Sequence, residues 1–149
     1  MQETINITDK TQVSNFIKKI ADEIKIPAVL ALHGDLGSGK TTFTNLLAKK
    51  IGVKEIVTSP TFLIHKSYKI KSETLEHFDL YRLKKYEELV EIGFEENLSK
   101  KNIIIIEWPD KIKNIVKRIK KISPKRQIIK IYFYHTSDIN ERKIKVLMV

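Results

Sequence analysis

The chain has 149 residues, no cysteine, and a formal net charge of +10 from 28 Lys and Arg against 18 Asp and Glu. This length is read as one domain over residues 1–149 with a real core, and the lack of thiols excludes disulfides and thiolate metal sites. No run approaches the roughly 18 apolar residues that span a bilayer, and Met1-Gln2-Glu3-Thr4 shows no basic and then apolar leader, so a soluble cytoplasmic protein is expected.

The basic excess has two readings. It can mark a nucleic-acid partner. It can also reflect a biased genome, because lysine dominates and arginine occurs only at Arg82, Arg118, Arg126 and Arg142.

Val13, Phe16, Ile17, Ile20, Ala21 and Ile24 recur at steps of three and four, which predicts an amphipathic helix over Thr11 to Lys25. Thr8 or Thr11 is expected to cap it, with Asp9 near its positive end. Pro27 to Leu32 is an apolar run of strand length that ends at His33. Directly after it comes Gly34-Asp35-Leu36-Gly37-Ser38-Gly39-Lys40-Thr41, the G-x-x-x-x-G-K-[ST] pattern of a phosphate-binding P-loop. Its glycines permit the tight backbone path that points successive N–H groups into one concavity. Lys40 would reach the β- and γ-phosphates, and the Thr41 hydroxyl would sit on Mg²⁺. Phe43, Leu46, Leu47 and Ile51 then recur at helical spacing up to a stop at Gly52. The pattern therefore follows a strand and opens a helix, the context that the motif needs.

Thr58-Ser59-Pro60-Thr61 interrupts this periodicity. It is either an ordinary turn into a strand or a segment that senses a γ-phosphate. Thr61 to Ile70 suits a strand, Lys71-Ser72-Glu73-Thr74 a hairpin turn, and Leu75 to Arg82 the return strand. Asp79 in that strand is either solvated or aimed at a nucleotide; alternation leaves both open. Glu87 to Ile92 reads as a short helix stopped at Gly93, and Phe94 to Leu98 as a further turn.

Ile103-Ile104-Ile105-Ile106 fits a strand buried on both faces, as in a parallel sheet. Glu107 at its end occupies the place of the Mg²⁺-associated carboxylate of P-loop proteins, where aspartate is usual. Ile112, Ile115, Val116, Ile119 and Ile122 form a second helical stripe, and the opposite face of Lys111 to Lys121 is almost wholly basic. Ile128 to Phe133 and Ile144 to Val149 read as closing strands joined by the polar segment Thr136 to Arg142. There is no internal repeat or low-complexity tail, and the four histidines lack metal-ligand spacing.

Taken in order, His33-Gly34-Asp35-Leu36-Gly37-Ser38-Gly39-Lys40-Thr41-Thr42, Ser59-Pro60-Thr61, His77-Phe78-Asp79-Leu80-Tyr81-Arg82-Leu83 and Glu107-Trp108-Pro109 resemble the TsaE (YjeE) family. These are small bacterial ATPases needed to make threonylcarbamoyladenosine next to the tRNA anticodon. The resemblance implies a single α/β P-loop NTPase-type domain with a mixed, partly parallel central sheet flanked by helices. It implies ATP and Mg²⁺ as cofactors, slow hydrolysis, and work beside a TsaD-type carbamoyltransferase subunit and its TsaB-type paralogue, with tRNA met through the complex.

By motif match, Gly34 and Gly37-Ser38-Gly39-Lys40-Thr41-Thr42 would hold the phosphates, and Thr41 and Glu107 would hold Mg²⁺. The resemblance gives catalytic roles to Lys40, Asp79 and Glu107, makes Ser59-Pro60-Thr61 a switch-like loop, and sets Trp108 beside the site. The family often has Gly-Arg before its last strand. Here Asn140-Glu141-Arg142 stands there, so Arg142 is carried over as a nucleotide-side residue. Two other functions also fit the residues: a P-loop small-molecule kinase, and a basic tRNA-docking module whose ATP site regulates docking. A GTPase is disfavoured because no N-K-x-D guanine signature occurs.

Overall fold

Two apolar runs decide the centre of the molecule. In the computed structural model, which describes residues 2–149, Ala28–His33 (β2) and Ile103–Glu107 (β5) are neighbouring parallel strands. Nearly every residue in them is buried, because helices cover both of their faces. Five further strands complete the sheet: Gln2–Ile7 (β1), His65–Ile70 (β3), Glu73–Asp79 (β4), Gln127–His135 (β6) and Arg142–Met148 (β7). The order is β1-β7-β6-β2-β5-β4-β3. β6, β2, β5 and β4 run parallel, while β7, β1 and β3 are antiparallel to their neighbours. This is the mixed, partly parallel sheet that the family resemblance implies.

The helices are Lys10–Glu23 (α1), Lys40–Ile51 (α2), Tyr86–Glu91 (α3), Phe94–Leu98 (α4) and Ile115–Ile122 (α5). Phe16, Ile17 and Ile20 of α1 and Phe43, Leu47 and Ala48 of α2 pack on one face of the sheet. Tyr86, Leu89, Phe94, Leu98, Ile115 and Ile119 of the other three helices pack on the opposite face with Val29, Ile104 and Ile106. Among the described residues no helix is long and apolar enough to cross a membrane.

Several boundaries differ from the periodicity reading. Asp9, not Thr8 or Thr11, is the N-cap of α1: its carboxylate accepts from the Gln12 N–H at 2.9 Å. β1 escapes the sequence reading because only Ile5 and Ile7 mark its inner face; pairing with β7 makes it a strand. The segment from Thr61 is a turn up to Ile64, whose φ of 65° and N–H bond to the Pro60 carbonyl delay β3 until His65. The hairpin turn shrinks to Lys71-Ser72, and β4 ends at Asp79 rather than Arg82. α5 begins only at Ile115, because Pro109–Lys111 is a short 3-10 turn and Asn114 has φ 60°.

Arg126 ties these layers together. Its guanidinium is buried and donates to the carbonyls of Ala28, Asn97, Leu98, Lys100 and Asn102 and to the Asn102 side chain, at 2.6–3.4 Å. Burial lowers its pKa to about 10, so it remains charged at neutral pH. Arg126→Met removes this shared donor; the Asn97 and Asn102 carbonyls keep other partners, in the Lys100 N–H, the Asn102 amide and the Ala28 N–H, and the Leu98 and Lys100 carbonyls lose their guanidinium contact. The expected loss is on the order of 2–4 kcal/mol of stability, read as a lower midpoint in urea denaturation with an unchanged m-value.

Candidate functional site

The loop between β2 and α2 takes its shape from one backbone position. Gly34 has φ 151°, and a Cβ there would lie 2.6 Å from Ser38 Oγ and 2.8 Å from the Phe133 carbonyl oxygen. No side chain fits. Gly37 and Gly39 follow at φ 71° and 105°, in the left-handed region. Gly39 caps α2, and the Phe43 N–H is bonded to the Gly39 carbonyl at 2.9 Å. The N–H groups of Lys40, Thr41 and Thr42 precede that first helical bond, so they have no intrahelical acceptor and lie at the positive end of the helix.

Lys40 curls back over this loop. Its Nζ donates to the carbonyls of Gly34 at 2.6 Å and Asp35 at 2.8 Å, and lies 4.1 Å from the centroid of the Trp108 ring. Burial lowers its pKa, and the carboxylates of Glu107, Asp79 and Asp35 act in the opposite direction. Trp108 reaches this position because its own backbone is left-handed, φ 58°, where β5 turns sharply after Glu107.

The two acids stand side by side. Asp79 ends β4, Glu107 ends β5, and they are register partners across parallel strands; Leu32 of β2 pairs with Glu107 on its other side. Both acids are buried. The Thr41 hydroxyl meets both Glu107 oxygens, at 3.1 and 3.2 Å, and His77 Nε2 lies 2.8 Å from Oε1. Asp79 Oδ2 accepts from the Ser59 and Thr61 hydroxyls, each at 2.9 Å, and Oδ1 accepts from the Tyr81 N–H at 2.9 Å. A solvated Asp79 is thereby excluded, and the Ser59-Pro60-Thr61 loop is bonded to it rather than being a free turn. Asp79 also lacks the polar neighbours along the chain that would suit an open strand position: Phe78 and Leu80 flank it, both fully buried.

These groups border a cavity of about 290 Å³, which holds Gly37 to Thr42, Ser59, Thr61, Asp79, Tyr81, Glu107 and Trp108 in its wall. Gly37, Gly39 and Thr42 also border a second, more apolar cavity of about 440 Å³ between α1, α2 and β7. Arg142 lies there, with Asp9, Phe16 and Ile139. Its guanidinium donates to the Ile139 and Glu141 carbonyls at 2.9 and 2.8 Å. The structure thus brings Lys40, Thr41, Asp79 and Glu107 together and sets Arg142 on the far side of the loop from them.

Two residues of the matched motifs, His77 and Tyr81, have no role in the sequence reading and take one in the site's geometry. His77 is fully buried behind Glu107, and Tyr81 stacks at a tilt on Trp108 with centroids 5.0 Å apart. For His77 the sequence holds a signal: it lies two residues before Asp79, and strand alternation puts both on one face.

Comparison with known proteins places the chain in one family. The family described as threonylcarbamoyl adenosine biosynthesis protein TsaE matches residues 7–144. A relative from Rickettsia conorii, named tRNA threonylcarbamoyladenosine biosynthesis protein TsaE, is 40% identical over 114 residues, covering 76% of this chain and 63% of its own length. The protein of that name from Rickettsia prowazekii is 39% identical over 111 residues, covering 74% of this chain and 76% of its own. The match thus spans less than two thirds of the first relative's length and more of the second's. The crystal structure of Bacillus subtilis YdiB superposes with a TM-score of 0.71 at 26% identity, covering 100% of this chain and 86% of that one. With the motif order, the sheet and the loop geometry all in agreement, this chain belongs to the TsaE family.

Proposed function

We propose that this protein binds ATP with Mg²⁺ at the loop between β2 and α2 and hydrolyses it slowly, as the ATPase of threonylcarbamoyladenosine formation in tRNA. The observation that carries this reading is the convergence of Lys40, Thr41 with Glu107, and Asp79 with Ser59 and Thr61 on one cavity beside the glycine-shaped loop. The loop suits phosphate, because its N–H groups and Lys40 are donors. The adjoining apolar cavity suits a base and ribose, with Arg142 at its side.

Charge supports the metal. The phosphate-side cavity is bordered by one lysine and two carboxylates, so a polyphosphate entering it meets net negative charge. A divalent cation removes that repulsion. One hydroxyl and one carboxylate are hard oxygen donors of the kind with which Mg²⁺ is held jointly with phosphate. Among the described residues no cluster of three or more His, Cys, Asp or Glu could hold a metal ion alone. Mg²⁺ held by Thr41 and Glu107 would neutralise charge developing on the phosphates.

The chain's own groups divide the remaining work. Lys40 moves from its loop carbonyls to phosphate oxygens and keeps its partners few and short. Glu107 stays rigid, because Thr41 and His77 hold it from two sides. Asp79 links the nucleotide cavity to the Ser59-Pro60-Thr61 loop, and it either orients the attacking water or reports the γ-phosphate to that loop. The partners of the reading are a TsaD-type carbamoyltransferase subunit and a TsaB-type paralogue, with tRNA reached through their complex. The work takes place in the cytoplasm.

Three outcomes test this reading. Lys40→Ala is expected to lower ATP affinity roughly ten- to a hundredfold in a titration with fluorescent nucleotide, the cost of a charge-assisted hydrogen bond of about 1.5–3 kcal/mol; unchanged affinity in the folded variant overturns the site. Glu107→Gln keeps the shape around Thr41 and His77 but removes the charge. It should weaken Mg²⁺-ATP binding while leaving metal-free nucleotide binding nearly unchanged, whereas Asp79→Ala should keep Mg²⁺-ATP binding and lose hydrolysis. Swapped phenotypes would make Asp79 the metal-side acid. Finally, no arginine borders the phosphate-side cavity among the described residues, so turnover alone should be slow and should rise on adding the two partner subunits. Equal steady-state rates across a saturating titration would count against a shared site.

A further inference from the structure

The sheet is covered unequally on its two faces. On the α1 and α2 side, the core takes Ile129, Ile131 and Phe133 of β6 and Ile144 and Val146 of β7. On the opposite side, the buried cluster under α3, α4 and α5 takes Ile128 from β6 and no residue from β7 or β1. Alternation therefore directs Lys130, Tyr132 and Tyr134 of β6 to that uncovered side. The register sets them against Leu147, Lys145 and Lys143 of β7, and those against Gln2, Thr4 and Asn6 of β1. All nine are half-buried or exposed.

The composition of this face is specific. It has three lysines, two tyrosines and no carboxylate among its nine residues. Each tyrosine has a lysine as its direct cross-strand partner: Tyr132 with Lys145, Tyr134 with Lys143. The rings are nearly parallel, 12° apart in plane, with centroids separated by 6.5 Å. Tyr132 is backed by His33, stacked on it at 4.3 Å, and His33 Nδ1 is held by Asp110 Oδ2 at 2.8 Å. The strip is therefore preorganised at its inner end, while Tyr134 is 44% exposed at its outer end.

Pairing of this face with the same face of a second copy is disfavoured, because it would set three lysines against three lysines. An apolar partner finds only Leu147 as a large aliphatic side chain. A ligand with anionic links and flat faces matches both components at once, since aromatic rings stack bases and lysines track the backbone. We propose that this open face of β6, β7 and β1 binds a single-stranded segment of RNA. Tyr132 and Tyr134 stack on its bases, Lys130, Lys143 and Lys145 meet its phosphates, and Thr4 and Asn6 offer hydrogen bonds to 2′-hydroxyls. The choice of RNA over DNA rests on the role in tRNA modification proposed above; the stacking and charge argument does not.

The test is fluorescence anisotropy with a labelled oligoadenylate RNA, its deoxy counterpart and inorganic polyphosphate as competitor, with ATP binding measured on the same proteins. Tyr134→Ala should weaken RNA binding about tenfold, and Tyr134→Phe should restore it. Lys143→Gln with Lys145→Gln should make the slope of log affinity against log salt shallower by about 1.4, at roughly 0.7 for each phosphate that no longer has a lysine beside it. ATP affinity should stay unchanged in all of them. Absence of RNA binding at low salt, equal affinity of Tyr134→Ala and the parent, or competition by polyphosphate as strong as by RNA would overturn the proposal; the last would point to an acidic protein or lipid surface. Equal affinity for the deoxy strand would overturn the assignment to RNA. Loss of ATP binding with RNA binding intact would instead strike the ATPase reading and leave this one standing.

Discussion

Everything at the site depends on three parallel strands ending level. Pairing of β2 with β5 and of β5 with β4 sets Leu32, Glu107 and Asp79 in one row. The loop to α2 departs one residue beyond that row, after His33. Lys40 and Thr41 therefore open their helix directly over the two acids, and the open edge of a parallel sheet becomes a site. A one-residue slip of β4 or β5 would turn its acid into the opposite core, where the side chains are Phe78, Ile104 and Ile106. Such a slip would also exchange the two buried sets of β5, Ile103 and Ile105 on one face and Ile104 and Ile106 on the other, and would take Glu107 away from Thr41 and His77.

Around this row the polar groups are bonded in two separate sets. One runs Thr41 to Glu107 to His77; the other joins Asp79 to Ser59, Thr61 and the Tyr81 backbone. Each carboxylate thus has its own donors, although the two are neighbours. The first set is fixed by strands and a helix. The second reaches into a turn whose following residues, Phe62 and Leu63, are 84% and 72% exposed. Asp79 is thus bonded to a segment that leads to the surface, whereas the partners of Glu107 lie inside.

Burial lowers the pKa of Lys40. Carbonyl oxygens, an indole face and nearby carboxylates replace the water that the ammonium loses. Trp108 provides that face only because its backbone is left-handed, a conformation that costs energy for a bulky residue and points to a positional demand. The uncovered side of β6, β7 and β1 is the counterpart of this closed site. The antiparallel strands extend the sheet beyond the reach of α3 to α5, so one half of a face carries polar, basic and aromatic side chains instead of a core.

The amino-acid sequence alone announces the loop, both core strands and most of the helices. Their signals are local: a glycine pattern, runs of apolar residues four or more long, and three-and-four spacing. It also named Lys40, Thr41, Asp79 and Glu107, through motif order. It left open whether Asp79 is solvated, did not reveal β1, and placed the ends of β3, β4 and α5 wrongly. The reason is physical. β1 becomes a strand through pairing with β7 at the other end of the chain, from Gln2 against Leu147 to Ile7 against Arg142. β4 stops where the Leu80 N–H turns to the Glu107 carbonyl at 3.0 Å. Asp79 and His77 acquire their partners from a neighbouring strand and a distant loop. Such partners come from elsewhere in the fold rather than from neighbours along the chain, so no local pattern announces them.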